Sequence, residues 1–254
     1  MIGIVLAGGS GSLLDPLTKV VSKQLLPVFN KPMIYYPIST LISCGIQEIV
    51  IITSPRDKNL FQGLLGDGSL FGLHFQYVVQ PEPLGIAQAI LLVKKLIQDT
   101  SIALILGDNI FAGIDFKTMI NNQHHDFKGA QIFGYAVNKP ERYGVIEIDE
   151  NQNPISIEEK PSIPKSSYAI PGIYFYDSKV ISYANELSPS PRGELEITDL
   201  NRRYLEAGEL RVKILPTQCA WFDAGTFDSV LETSNYIQAH FKRTNVDLGN
   251  LNRI

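Results

Sequence analysis

The residues best suited to chemistry stand near the start of the chain. The run Ala7-Gly8-Gly9-Ser10-Gly11-Ser12 follows a short apolar stretch, and its three glycines and two serines exceed what a simple turn needs. Glycines at such a place let backbone N–H groups approach and cradle an anionic phosphate. An ordinary turn is the competing reading. The run is not a P-loop, because no Gly-Lys-Ser/Thr follows the glycines. It also fails the dinucleotide fingerprint: counting from Gly9, the pattern gives Gly11 and then Leu14 where a third glycine should stand. Glu48 stands at the start of its strand rather than at its end, so the acidic ribose partner is missing too.

A loop of this kind needs a strand before it and a sheet to hold it. Apolar runs such as IGIVL, IVIIT and ALIL lack polar alternation, the pattern of strands covered on both faces. They predict strands over 2–6, 48–53, 75–79 and 102–106, with helices near 37–43, 57–65 and 85–97. That alternation reads as a Rossmann-like, doubly wound α/β fold with a mostly parallel mixed sheet flanked by helices. After Gly129 the texture turns strand-rich: AQIFGYAV, YGVIEID, NPISIEEK and SYAIPGIYFYD read as antiparallel or mixed strands extending that sheet. Helices over 178–186 and 196–207, strands over 211–215 and 219–222, and a last helix near 227–240 complete the pattern. No repeat or low-complexity linker marks a boundary. The expected organisation is one domain over 1–254, with a nucleotide part to about 128, a sugar-phosphate part over about 129–226, and a terminal helix and short tail over 227–254.

Bulk properties narrow the function. With 254 residues, 44% of them apolar, the chain can bury a full core. A net charge of −4 without clustered Lys and Arg argues against nucleic acid as a partner. Cys44 and Cys219 form neither metal spacing nor a disulfide framework, and read as buried packing residues in a reducing compartment. The opening MIGIVLAGGS has no basic leader and too short an apolar run for a membrane span, so a cytoplasmic protein without a membrane partner is expected.

The ordered motifs VLAGGSGS, PLT, SKQLLPVFNKPMIYYPISTL, TSPRD, LLGDGS, QPEPLGIAQA, LGDNIF, RYGV, EEKP, PGIYFYD, RGELEITDLN and AWFDAGT together resemble the sugar-1-phosphate nucleotidylyltransferases. The resemblance runs to about Glu232 and is strongest to the branch acting on dTTP and glucose 1-phosphate. It implies Mg²⁺-dependent thymidylyl transfer giving dTDP-glucose and pyrophosphate, in the dTDP-rhamnose pathway, by a homo-oligomer (dimer or tetramer). The substrates would be a nucleoside triphosphate and a sugar 1-phosphate.

Such chemistry rests on alignment and neutralisation of crowded negative charge, so cations should dominate the site. The resemblance gives a nucleotide set of Leu6, Gly8, Gly9, Ser10, Gly11, Ser12, Gln24, Gln80, Gly85 and Asp108, in which the two amides can read a pyrimidine edge. Lys23, within VVSKQLLPV, would reach the triphosphate. Asp108, closing ALILGD at the C-terminal edge of a strand, and Asp223, similarly placed after CAWF, look like the family's Mg²⁺ ligands, although either alone could be a turn or cap residue. The sugar-phosphate set is Tyr143, Gly144, Glu159, Lys160, Gly172, Tyr174 and Arg192. Lys23, Lys160, Arg192, Asp108 and Asp223 form the expected catalytic group. Strand alternation would point Glu159 and Lys160 to opposite faces, leaving a surface ion pair as the alternative unless the turn at Pro161 redirects one.

Two departures qualify the resemblance. The family loop runs Gly-Ser-Gly-Thr-Arg-Leu, whereas here Leu13 takes the arginine's place and Asp15 follows. Losing that cation should slow pyrophosphate departure on the order of 10²-fold or more. Longer family members also carry further helices after the equivalent of Ile237, so feedback control built on them is not expected. These departures leave two alternatives: a catalytically weak paralogue that binds nucleotide or nucleotide sugar, or the same reaction with another base or sugar phosphate.

Overall fold

A computed structural model of the chain describes residues 1–120 and 127–252. The fold is α/β, with a mixed sheet flanked by helices, as the alternation of strand and helix patterns predicts. The chain forms two compact units.

The first unit comprises Ile2–Pro83, Ile105–Lys117 and Ala220–Ile254; the last two residues of the expected tail lie outside the described residues. Strands Ile2–Ala7, Glu48–Thr53 and His74–Val79 pair in parallel, with Ala7 opposite Thr53 and Thr53 opposite Val79. Four of the six residues of the first strand and five of the six in the second are buried, which fits strands without polar alternation. Helices Tyr35–Ser43 and Lys58–Leu65 belong to this unit. A separate antiparallel ladder joins Asn109–Ala112 to Ala220–Asp223. Thr226 and Ser229 then cap helix Phe227–Thr244 reciprocally, satisfying N–H groups at its first turn. Val28, Met33, Tyr36, Ile110, Ala224 and Ile237 form one apolar cluster around that ladder and helix.

The second unit comprises Met1, Leu84–Leu104 and Thr118–Cys219. Strand Ala130–Ala136 has antiparallel neighbours in Tyr168–Ala169 and Ile173–Tyr176 and a parallel one in Leu210–Ile214. Gly144–Ile148 pairs antiparallel with Pro154–Glu159. Helices Ile86–Leu92, Val180–Asn185 and Ile197–Glu206 belong here.

One expected element is corrected. The helix foreseen over 85–97 ends at Leu92, where Val93 donates to Ile90 O and tighter turns replace α-helical bonds. The run SYAIPGIYFYD forms strands Tyr168–Ala169 and Ile173–Tyr176, interrupted at Pro171, which has no N–H to offer a ladder. Cys44 and Cys219 are buried free thiols. Among the described residues, no helix is long and apolar enough to cross a membrane.

Candidate active site

In the first unit the glycine run leaves the buried strand at Ala7 and turns back through Gly11, whose φ of 65° lies in the left-handed region open to glycine. Ser12–Leu14 then makes a single 3₁₀ turn, closed by Leu14 N donating to Gly11 O at 2.9 Å. Gly9 has nothing within 4 Å of where a Cβ would lie, so this stretch of backbone faces open space. Gly8 admits the Gln80 amide, whose Oε1 would lie 3.2 Å from a Cβ on that glycine. Leu6 O accepts from Gly107 N at 2.8 Å, which draws the end of the first strand against the turn leading to Asp108. Leu14 is buried, as a core residue should be, while the Leu13 side chain stands 69% exposed.

Lys23 and Asp108 meet directly through Nζ and Oδ2. Asp108 Oδ1 also accepts from Asn109 Nδ2 at 3.1 Å. Asp223 closes strand Ala220–Asp223, and Ala224 N donates to Asp108 O at 2.9 Å. The position of Asp223 is therefore corrected: it lies on the two-stranded ladder, opposite Asn109, rather than at the edge of the parallel sheet. That ladder is what brings the two aspartates together, and Trp221 Nε1 donating to Asn109 Oδ1 at 2.7 Å locks it. Burial disfavours the charge on Lys23, but Asp108, with a further contribution from Asp223, outweighs it and holds the ammonium above its ordinary value. Burial likewise opposes the Asp108 carboxylate, yet Lys23 and the Asn109 amide keep its pKa below the usual range. Gln24 is buried, with Oε1 accepting from Ser22 Oγ.

In the second unit Glu159 ends its strand opposite Gly144. Lys160 then adopts a φ of +43° and donates its backbone N–H to Tyr143 O at 3.0 Å. This left-handed residue, immediately before Pro161, breaks the alternation that would have sent the two side chains to opposite faces, and Lys160 Nζ lies 3.8 Å from Glu159 Oε1. Thr198 Oγ1 donates to Glu159 Oε2 at 2.5 Å. Gly144 leaves room for that pair: a Cβ there would lie 3.2 Å from Thr198 Oγ1. Arg192 is gripped by Glu196 through Nε at 3.1 Å and through Nη2 at 2.9 Å to each carboxylate oxygen. It also lies 3.6 Å from Glu159 Oε1. Tyr143, Gly144, Glu159, Lys160 and Arg192 are thus neighbours. Gly172 follows Pro171, whose carbonyl accepts from Ile173 N at 2.8 Å. Tyr174 is buried and stacks on Tyr176, with ring centroids 6.2 Å apart.

Gly85 caps helix Ile86–Leu92 with a φ of +104°, and a Cβ there would lie 2.4 Å from Leu195 O. That close backbone approach is sufficient reason for a glycine. Sequence reasoning overlooked Thr198 and Glu196, although both lie in RGELEITD, and strand Asn109–Ala112, whose four residues are too few to show a period.

Residues 2–240 match the nucleotidyl transferase family. Glucose-1-phosphate thymidylyltransferase of Neisseria gonorrhoeae is 53% identical over 94% of this chain and 83% of its own length. The protein of that name from Mycolicibacterium smegmatis is 50% identical over 98% of this chain and 86% of its own. A solved Bacillus anthracis structure with the same name given provisionally, in complex with a sucrose, superposes with a TM-score of 0.86 at 45% identity, covering 93% of this chain and 95% of that one. A UDP-glucose pyrophosphorylase complexed with UDP-glucose shares the fold, with a TM-score of 0.79 at 23% identity over 95% of this chain and 98% of that one.

Proposed function

Because the chain belongs to the nucleotidyl transferase family, we propose that it is a glucose-1-phosphate thymidylyltransferase, joining dTTP to glucose 1-phosphate and releasing pyrophosphate. The observation that carries the reading is the buried Lys23 ammonium paired with Asp108 and further favoured by the charge of Asp223, in the same unit as the glycine loop. In the reaction an oxygen of the sugar phosphate attacks the α-phosphorus. The bond from that phosphorus to the bridging oxygen breaks, and its electron pair leaves with pyrophosphate. Lys23 offsets the charge that accumulates on the phosphates, and the loop backbone holds them in line. Lys160 and Arg192 supply the cations for the sugar phosphate, and Glu159, fixed by Thr198, accepts from a sugar hydroxyl.

Two carboxylates beside a phosphate site are a hard oxygen donor set that suits Mg²⁺. When bound by Asp108 and Asp223, Mg²⁺ would supply charge neutralisation at the phosphate oxygens.

A second reading, an impaired paralogue that binds nucleotide without efficient turnover, draws on Leu13, where the family carries a cation. The exposed Leu13 side chain can be exchanged for arginine without disturbing the core. Pyrophosphate release should be measured with dTTP or UTP, glucose 1-phosphate and Mg²⁺ for the native chain and Leu13→Arg. The enzyme reading expects turnover by the native chain, preference for dTTP, and an increase on the order of 10²-fold in the variant. Release only by the variant would support the paralogue, and release by neither would refute the assignment.

A further inference from the structure

The motif TSPRD after the second parallel strand has no part in the chemistry above. In the structure its arginine is fixed at both ends. Arg56 Nε and Nη2 donate to the two carboxylate oxygens of Asp57, each at 3.0 Å, while Nη1 donates to Thr18 O and Lys19 O, each at 3.1 Å. Asp57 is buried and also accepts from Ser54 Oγ at 2.7 Å. The planar fork is therefore oriented on one side by an anchored carboxylate and presents its remaining edge to the chain leaving the glycine loop. Thr18, itself buried, carries the connection onward: its hydroxyl lies 2.8 Å from Gly11 O and 3.1 Å from Asp15 Oδ1. Its methyl is so close that a Cβ on Gly11 would lie 2.9 Å from Thr18 Cγ2.

We propose that Arg56 is a positioning residue for the nucleotide: anchored on Asp57, it holds the phosphate loop in its binding shape through Thr18. The proposal rests on the reading of that loop as the dTTP site. Arg56 touches no substrate in this account, and its charge is already balanced by Asp57. Its contribution is to order Gly11 and the turn after it before dTTP arrives, so that binding need not order them. A lysine cannot replace it, because one compact ammonium cannot span both Asp57 oxygens and two carbonyls.

The test is calorimetric titration with dTTP, together with steady-state KM for dTTP and for glucose 1-phosphate, for native chain, Arg56→Ala, Arg56→Lys, Thr18→Val and the Arg56→Ala/Thr18→Val pair. Arg56→Ala should weaken dTTP binding about tenfold, the scale of one lost charge-assisted hydrogen bond. Arg56→Lys should rescue little of this. Thr18→Val should produce a similar loss, and the pair should lose no more than either single variant, because both break one chain of contacts. The KM for glucose 1-phosphate should stay unchanged. Native affinity for dTTP retained in Arg56→Ala, additive losses in the pair, or equal losses for both substrates in step with a lower Tm would each overturn the proposal. Failure of the native chain itself to bind dTTP would instead overturn the reading of the loop.

Discussion

The two units treat charge in opposite ways. In the first, Lys23 and Asp108 have side chains only 17% and 12% exposed, and each holds the other ionised against the penalty of burial. In the second, Lys160 and Arg192 are about half exposed at 50% and 46%, and Arg192 sits among Glu159, Glu194 and Glu196. A buried pair is strongly disrupted when one partner is removed, since the other is left desolvated and alone, whereas exposed pairs contribute little each. The comparison therefore separates a buried, pre-ionised centre from a cationic surface whose carboxylates orient it. The first suits a reacting centre whose charge must not shift during turnover; the second suits a ligand that enters and leaves.

The largest expected effect comes from breaking the buried pair. Asp108→Ala should lower stability by about 3–5 kcal/mol in urea unfolding. Asp108→Asn and Asp223→Asn should each reduce Mg²⁺-dependent pyrophosphate release on the order of 10³-fold. Loss of Glu159 by substitution with glutamine should move stability by less than about 1 kcal/mol, and an equal loss at both places would erase the contrast. Next comes Gly85→Ala, which forces a side chain into a φ of +104° and against Leu195 O; thermal unfolding should show a loss of roughly 1–3 kcal/mol or more.

A smaller effect sharpens the account of the second unit. Glu196→Gln should raise the KM for glucose 1-phosphate about threefold to tenfold while leaving that for dTTP unchanged, because Arg192 loses a charged anchor. A fall in that KM would mean that Glu196 competes with phosphate instead of orienting Arg192. The smallest effect concerns Cys44, whose thiol is pushed up to about 12 by burial, with a hydrogen bond from Ser43 only partly opposing this. Its folded value exceeds the ordinary 9.0, so the associated stability is present below pH 9 and declines as pH rises towards 12. The native protein should leave Cys44 unmodified by a thiol reagent at pH 8, and rapid labelling without unfolding would contradict that burial.

Much of this was legible in the sequence. Uninterrupted apolar runs marked the parallel strands, since covering both faces leaves no polar alternation. Motif resemblance named Lys23, Asp108 and Asp223, but no local pattern could show that a ladder of four-residue strands sets Asp223 opposite Asn109. Pro161 marked a turn able to break the strand alternation, but the left-handed φ of Lys160 was hidden, because a lysine carries no signal for positive φ. Glycines were legible as a class rather than by cause: Gly11 serves the loop's turn, while Gly85 is required by the nearby Leu195 backbone. The clamp at Arg56 depends on contacts between residues far apart in sequence, which spacing does not reveal.

The most direct test of the division between the two units is hydrogen exchange of the native chain with each substrate alone, in Mg²⁺ and without turnover. Saturating dTTP should protect amides around Gly8–Ser12, Lys23–Gln24 and Asp108, and saturating glucose 1-phosphate those around Tyr143–Gly144, Lys160 and Arg192. Protection of the second set by dTTP, or of the first by glucose 1-phosphate, would contradict the account.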